Sequence, residues 1–503
     1  MEDLYIGWAE ESLLPGKKIA LAGQFYERVS DEIDTPLTAT AMAIGQGDQQ
    51  AIIVSADIGE VQPFLLNLAR EEFAKRNWEV DPEKLIFGAT HTHTSHTFGD
   101  PDTNVSISPV LQTINEYMGD TPYQPTAETG EGVMKPAEST RLVARQVAIA
   151  ADKAWNNRKK ACITNEFGRA PVGMCRRATY DDGSAQMWGD TNTANFVALE
   201  GGNDSGIELL YIYDEDKKLT GVVANVCCPA QILGQRSVIS ADFWGHAKAI
   251  LREKLGEELF LLPLCGAAGD QCPRDLVRWV TPETPIADPN IHRPHPLKRK
   301  ADPSMYDLSG CRKAGKRIAN EILSVLEEAA APQECGVFLH KVVHMELPLR
   351  KVTMEEHAAA DAALTRLAAL AKTSAFTFAD KARMYVHAGA INRFRQQQWQ
   401  ETFPVELHVL RLGEVALITC PFELFLDYGN RIKARSYATQ TFIMQLSCGR
   451  GGYLPTEKAE KGGHYSAYVA SGQVGHEGGD MMTRVLITEI NRMFEEYGNE
   501  RII

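Results

Sequence analysis

Two short apolar runs with an amphipathic helix between them constrain this chain most. Gln50–Asp57 (QAIIVSAD) and Lys84–Thr90 (KLIFGAT) read as buried strands, and Pro63–Arg76 reads as the helix that connects them. This is a βαβ pattern, and both strands end in polar residues. Open α/β sheets bind ligands beyond the carboxyl ends of their strands. The rule points to Asp57 and to the residues just after the second strand. Those residues are Thr90-His91-Thr92-His93-Thr94-Ser95-His96, with three of the chain's 13 histidines inside six residues. Alternate residues of an extended segment point the same way, so His91 and His93 are expected to converge. Neutral imidazole is the commonest metal ligand, and this clustering at a strand end favours a metal over an exposed polar turn. His96 is expected as a pocket wall or a contact behind the ligands.

The remaining pattern alternates strands and helices without an internal repeat. A loop-rich stretch, Gly99–Met134, leads into a helix over Pro136–Asn156, where Val143, Val147, Ala151 and Trp155 recur on one face. Strands are predicted at Ile207–Tyr213, Leu219–Val226, Leu259–Leu264, Glu406–Leu412 and Val415–Thr419. Helices are predicted at Ser309–Glu328, Met354–Lys372, Asp380–Gln398, Phe425–Lys433 and Gly479–Glu496. Eight of the 24 prolines lie between Pro263 and Pro303, which makes 274–305 a long surface loop. The helices within 353–400 read as an insertion. The expected fold is α/β: one large mixed-sheet catalytic body spanning 1–503, with inserted helices.

Composition removes several function classes. Hydrophobic residues are 44% and charged residues 23%, ordinary globular usage that excludes a disordered or fibrous chain. The balance of 52 basic against 66 acidic residues gives −14, which argues against a nucleic-acid footprint or a polybasic membrane patch. The longest apolar stretch, Leu259–Ala268, falls well short of the ~20 residues of a spanning helix. The opening MEDLYIGWAEESLLPGKK carries acids where a signal peptide has a basic region. A cytoplasmic location is therefore expected, with a small-molecule substrate as partner, neither nucleic acid nor membrane, and a homo-oligomer left open. The ten cysteines include no C-x-x-C pair, so reduced thiols are expected rather than a disulfide framework or a zinc knuckle.

Ile53-Val54-Ser55-Ala56-Asp57 followed by Gly88-Ala89-Thr90-His91-Thr92-His93 resembles the N-terminal half of the neutral/alkaline non-lysosomal ceramidases. These are zinc amidohydrolases that cleave the amide of ceramide. Further segments extend the resemblance over nearly the whole chain, without the C-terminal immunoglobulin-like domain of the family's secreted members. Met174-Cys175-Arg176-Arg177 stands where the family supplies an arginine, so Arg176 is the match, with Arg177 as competitor. The family's second histidine ligand, fourteen residues before an aspartate, falls on Cys228, since Asp242 takes the aspartate position. Ala267-Ala268-Gly269-Asp270-Gln271-Cys272-Pro273 matches the Asn-x-Gly-Asp-x-Ser-Pro loop, keeping Asp270 but replacing the serine proposed as nucleophile with Cys272. Pro421-Phe422-Glu423 and Gly452-Tyr453-Leu454-Pro455-Thr456 match the carboxylate and tyrosine ligand segments, and Tyr465 matches a substrate-contacting tyrosine.

The resemblance implies Zn2+ held by His91, Cys228, Glu423 and Tyr453. His93, Arg176 and Tyr465 would stabilise an oxyanion, and Asp270 would order the Cys272 loop. A thiolate in the ligand set would lower the ion's Lewis acidity. Cys228 alternatively only packs, and Cys272 is either a nucleophile or a wall residue beside a metal-activated water. Lacking an apolar stretch suited to extracting a lipid, the chain is expected to hydrolyse a small soluble amide or acyl substrate. Two alternatives stand beside this. One is hydrolysis of a sugar or cyclitol derivative, for which Trp188, Trp244 and Trp279 are candidates. The other is a non-catalytic metal- or ligand-binding relative.

Overall fold

The computed structural model describes residues 2–102, 109–122, 130–280, 300–301 and 307–495. Its first half contains β1 (Tyr5–Ser12), β2 (Thr38–Gln46), β3 (Gln49–Ala56), α1 (Pro63–Ala74) and β4 (Leu85–Ala89), then α2 (Pro109–Met118) and α3 (Pro136–Asn156). It continues through β5 (Lys159–Arg169), β6 (Gly206–Asp214), β7 (Leu219–Val226), α4 (Phe243–Leu255), β8 (Phe260–Cys265) and α5 (Asp307–Glu328). The second half contains β9 (Phe338–Pro348), α6 (Met354–Leu370), α7 (Phe378–Gln396), β10 (Thr402–Leu412), β11 (Val415–Thr419) and β12 (Phe422–Leu424). It ends with α8 (Leu426–Arg435), β13 (Gln440–Met444), β14 (Gly452–Leu454), α9 (Glu457–Gly462) and α10 (His476–Glu495).

The longer strands build two stacked sheets, and short pairs such as β12–β14 stand apart from them. The larger runs β8-β7-β6-β5-β1-β2-β3-β4, with Gln333–Glu334 added beside β5; the smaller runs β9-β10-β11-β13. Antiparallel pairs dominate the large sheet, but β3–β4 and β7–β8 are parallel, each bridged by a helix as the βαβ pattern requires. Period-two alternation assigns the faces. On β6, Ile207, Leu209 and Tyr211 pack with α4 and α5, whereas Leu210 and Ile212 join Phe338, Leu410, Leu412 and Phe442 between the sheets. On β10, Val405, Leu407 and Val409 turn the other way, toward α8 and α10. The result is four layers: helix, sheet, sheet, helix. Each fully buried Leu, Ile or Phe in the seam contributes roughly 1.5–3 kcal/mol to holding the two sheets together.

Three regions bear on the expected layout. The loop-rich stretch 99–134 contains α2, whose Leu111, Ile114 and Met118 recur at helical spacing and pack on α6 and α7. The helices α6 and α7 interrupt a β9–β10 hairpin that is otherwise in continuous register from Phe338↔Leu412 to Pro348↔Thr402. Most of the proline-rich segment 274–305 lies outside the described residues; near its ends, Trp279–Val280 pairs antiparallel with Lys300–Ala301. No helix among the described residues is long and apolar enough to cross a membrane.

Candidate active site

The βαβ unit delivers the histidines by a route other than simple alternation. Beyond β4, Thr90 N–H donates to the Ala56 carbonyl at 3.0 Å and Thr92 N–H to that of Ile58 at 3.1 Å, so the chain keeps following β3 past the sheet. His91 then adopts a left-handed backbone, φ 64°. That turn, not an extended run, brings the His91 and His93 rings edge to face at 4.9 Å. His93 packs so closely on Gly23 (φ 91°) that a Cβ there would lie 2.5 Å from its Cγ. Only glycine fits. His96 goes elsewhere. It is fully buried between the Leu13 carbonyl (Nε2, 2.8 Å) and the Ser139 hydroxyl (Nδ1, 3.0 Å), and burial pulls its pKa down to about 4. It is a core histidine rather than a pocket wall.

Glu423 and Tyr453 meet because β12 and β14 are parallel and in register, with Glu423 opposite Tyr453. Glu423 lies within β12, three residues before α8 starts at Leu426. Glu423 Oε2 lies 3.3 Å from His91 Nε2 and 3.8 Å from the Arg176 Nη2 atom. Arg176 is buried. Its Nη2 donates to the Gly269 carbonyl at 2.9 Å and to the Tyr453 hydroxyl at 3.3 Å. Its Nε has no protein partner, a trait shared with Arg28 and Arg70. Arg177, the competitor, serves structure instead. It pairs with Glu200 at 2.5 Å and caps the carbonyls of Ala459, Gly463 and Tyr465. Tyr465 stacks edge to face on Tyr453 at 5.4 Å and on Phe25 at 5.5 Å, held between two left-handed residues, His464 (φ 71°) and Ser466 (φ 73°).

The charges are mutually compensating. Burial disfavours the ionised Glu423, but His91, Arg176 and Tyr453 outweigh it and hold the carboxyl below the usual range. Burial likewise opposes a charged His91, yet Glu423 and the Gly59 carbonyl raise its pKa overall. His93 is driven well down, first by burial and then by the positive charge of His91, Arg28 and Arg176. Burial pushes Tyr453 well up and Tyr465 to about 12, so both are neutral hydroxyl donors.

The remaining site candidates surround this group. Cys272 pairs with Met174 across a short antiparallel bridge. Its thiol points to the Arg274 carbonyl at 3.2 Å, and burial pushes its pKa up to about 12. Asp270 accepts the Leu426 N–H at 2.9 Å, and its carbonyl accepts the Arg176 N–H at 2.9 Å, linking the Cys272 loop to α8 and Arg176. Burial raises the Asp270 carboxyl to about 6. Cys228 sits in a turn with its thiol 3.5 Å from the Pro229 carbonyl, among Val226, Ala230 and Leu233. Burial raises its pKa far above 9. Cys228 does not join His91 and Glu423 as a set with all ligand atoms within 4.8 Å; among the described residues such sets occur at Glu406-His408-Cys448 and Glu83-His344-Glu406.

Proton counting tests whether a cation fits beside His91. A carbonyl only accepts, so the 2.5 Å contact to Gly59 requires a proton on His91 Nδ1. Nε2 then faces a carboxylate at 3.3 Å, a gap that a proton fills when the site is empty and that a metal ion can take over from it. Two ligands on one tetrahedral ion with bonds of ~2.0–2.2 Å stand about that far apart. His91, Glu423 and the adjacent Tyr453 therefore suit a divalent cation, and the Gly59 carbonyl fixes the tautomer as a ligand histidine requires.

Some contributors carried no local signal in the sequence. Arg28 donates to the His93 carbonyl at 2.7 Å, and Glu60 pairs with Arg450 nearby. Of the tryptophans considered for a carbohydrate, Trp244 is core, and Trp188 (φ 58°) lies under Arg274 at 4.7 Å. The side chain of Trp279 is outside the described residues.

A neutral ceramidase from Pseudomonas aeruginosa matches over 99% of this chain and 75% of its own, with a TM-score of 0.65 and 13% identity. The fold is ceramidase-like. A ceramidase complexed with C2 gives the same picture, covering 99% of this chain and 76% of its own at TM-score 0.65 and 11% identity. No protein-family profile and no curated protein matches the sequence.

Proposed function

We propose that this protein is a zinc-dependent hydrolase of a small soluble substrate carrying an amide or acyl bond. The observation that carries the reading is the buried contact of His91 Nε2 with Glu423 Oε2 at 3.3 Å, with Nδ1 fixed on the Gly59 carbonyl and Tyr453 alongside. His91, Glu423 and Tyr453 would hold the ion, with Cys228 as the candidate fourth ligand once its thiol ionises. Zinc supplies a Lewis acid that polarises a carbonyl and acidifies water.

The chain's own groups do the rest. Arg176 is a permanent cation fixed by the Gly269 carbonyl, and with the Tyr465 hydroxyl it stabilises an oxyanion. His93, held neutral, orients the substrate. Water is the nucleophile, because the Cys272 thiol is neutral and directed at Arg274. Asp270 keeps Arg176 and the Cys272 loop in register. The ceramidase activity of the structural neighbours supports an amide as the bond cleaved.

Elemental analysis of the purified chain, with a panel of N-acyl and O-acyl substrates, tests this. Zinc retention together with hydrolysis, both lost in His91→Ala, is expected. A protein that binds no transition metal and hydrolyses nothing in the panel would overturn the assignment.

A further inference from the structure

A second buried histidine–carboxylate group lies at the seam between the sheets, apart from the His91 pocket. Glu406 and His408 alternate on β10, on the face that also carries Leu410 and Leu412 inward. His340 on β9 lies beside them, and Cys448 follows β13 in a left-handed turn (φ 54°), its N–H on the Phe87 carbonyl of β4 at 2.8 Å. Arg70 of α1 grips both oxygens of Glu406, at 2.6 and 2.9 Å.

The hydrogen bonds of this group do not close with neutral rings. His340 Nδ1 lies 2.7 Å from the Gln50 carbonyl and must donate to it. Neutral His340 therefore accepts at Nε2, and His408 Nδ1, 2.9 Å away, must be the donor. That leaves His408 Nε2 as a bare lone pair, 2.8 Å from Glu406 Oε1 and 3.5 Å from Cys448 Sγ. The Cys448 thiol can donate only weakly to that lone pair, and the Glu406 contact stays acceptor against acceptor where His408 is fully buried. Such a contact calls for a cation. A proton would satisfy the Glu406 contact alone, whereas a metal ion would meet Glu406 and Cys448 together.

We propose that His408 Nε2, Glu406 Oε1 and Cys448 Sγ form a second metal site, for a divalent transition ion such as zinc. All three ligand atoms lie within 4.8 Å of one another. Nitrogen, oxygen and sulfur together suit a borderline ion rather than calcium or magnesium. Binding displaces the Cys448 thiol proton to solvent and forms the sulfur–metal bond in its place. The ion's charge and that of Arg70 are then opposed by the thiolate and Glu406. Glu83 and His344, paired at 2.8 Å, form an outer set that shares Glu406 and leads from the surface to the site. The ion would pin β10 to the segment that runs on to Tyr453.

Cobalt(II) added to metal-stripped full-length protein carrying His91→Ala and Cys228→Ala tests this, because those changes disable the first pocket and leave the second cluster intact. The expected result is stoichiometric cobalt uptake with a sulfur-to-cobalt charge-transfer absorption and a raised melting temperature. The absorption should vanish on adding Cys448→Ser. It should also vanish with His408→Asn, which keeps a donor toward His340 but removes the ligand nitrogen. No charge-transfer absorption in the double variant, or one that survives Cys448→Ser, would overturn the site. Neither outcome depends on whether the His91 pocket holds zinc.

Discussion

The His91 and His408 pockets are built from the same parts. Each fixes a histidine Nδ1 on an acceptor, aims Nε2 at a carboxylate, and sets a guanidinium beside that carboxylate. They differ in what the guanidinium does. Arg70 holds Glu406 by both oxygens and closes that pocket, whereas Arg176 stays 3.8 Å from Glu423 and directs its hydrogen bonds to Gly269 and Tyr453. A carboxylate gripped by both oxygens suits a structural ion shut off from substrate; one left partly uncommitted can serve an ion and a substrate together. Hydroxyls of Tyr453 and Tyr465 surround the first pocket, while the second is wedged between strands of the smaller sheet and β4.

Substitutions at the two arginines should separate these roles. Arg176→Met should lower kcat/KM on the best substrate by roughly 10²–10³, the usual loss for an oxyanion donor, with little change in metal content. A loss below tenfold would remove Arg176 from the machinery. Arg70→Met should act on folding instead. It strands the Glu406 carboxylate and should cost about 3 kcal/mol, read from denaturant melts, while kcat changes little. Equal damage to kcat and stability from both would dissolve the distinction.

The third histidine of the Thr90–His96 run sharpens the contrast, because it belongs to neither pocket. His96 has its pKa lowered to about 4 in the fold against an ordinary 6.5. A lowered histidine pKa means the unfolded chain binds the proton more tightly. The contribution to stability is therefore complete above 6.5 and lost as pH falls toward 4. At pH 5 the loss should be roughly 2 kcal/mol, and His96→Gln should flatten that part of the stability–pH curve. The smallest effect is expected at Cys272. With its thiol neutral and on the Arg274 carbonyl, Cys272→Ser should keep activity within a few-fold, and a covalent acyl intermediate trapped on Cys272 would refute the water route.

The strands and helices are largely legible in the sequence. Val415–Thr419 and Leu219–Val226 match residue for residue, and Pro136–Asn156 is the helix the periodicity predicts. The short helix α2 escapes such a reading because only a few apolar positions mark it within a polar stretch. In the site, Arg176 and Arg177 cannot be told apart by sequence alone, since adjacent residues carry identical chemistry. A kink between two short strands sends one to Glu423 and the other to Glu200. The second cluster has a signal in Glu406-Leu407-His408, whose i, i+2 spacing puts both polar side chains on one face of a strand, but nothing local ties that pair to Cys448.

Apolar spacing along the chain sets the α/β layout and points to the candidate residues at the ends of strands. Burial periodicity is a short-range property, written in the spacing of apolar side chains along each segment. Convergence was left to tertiary structure. Parallel pairing of β12 with β14 puts Glu423 against Tyr453, a left-handed residue swings His91 toward them, and a tight turn sets the Cys228 thiol on the Pro229 carbonyl. Pairing register and backbone handedness at these points arise from contacts between segments far apart in the chain, and no local spacing encodes them.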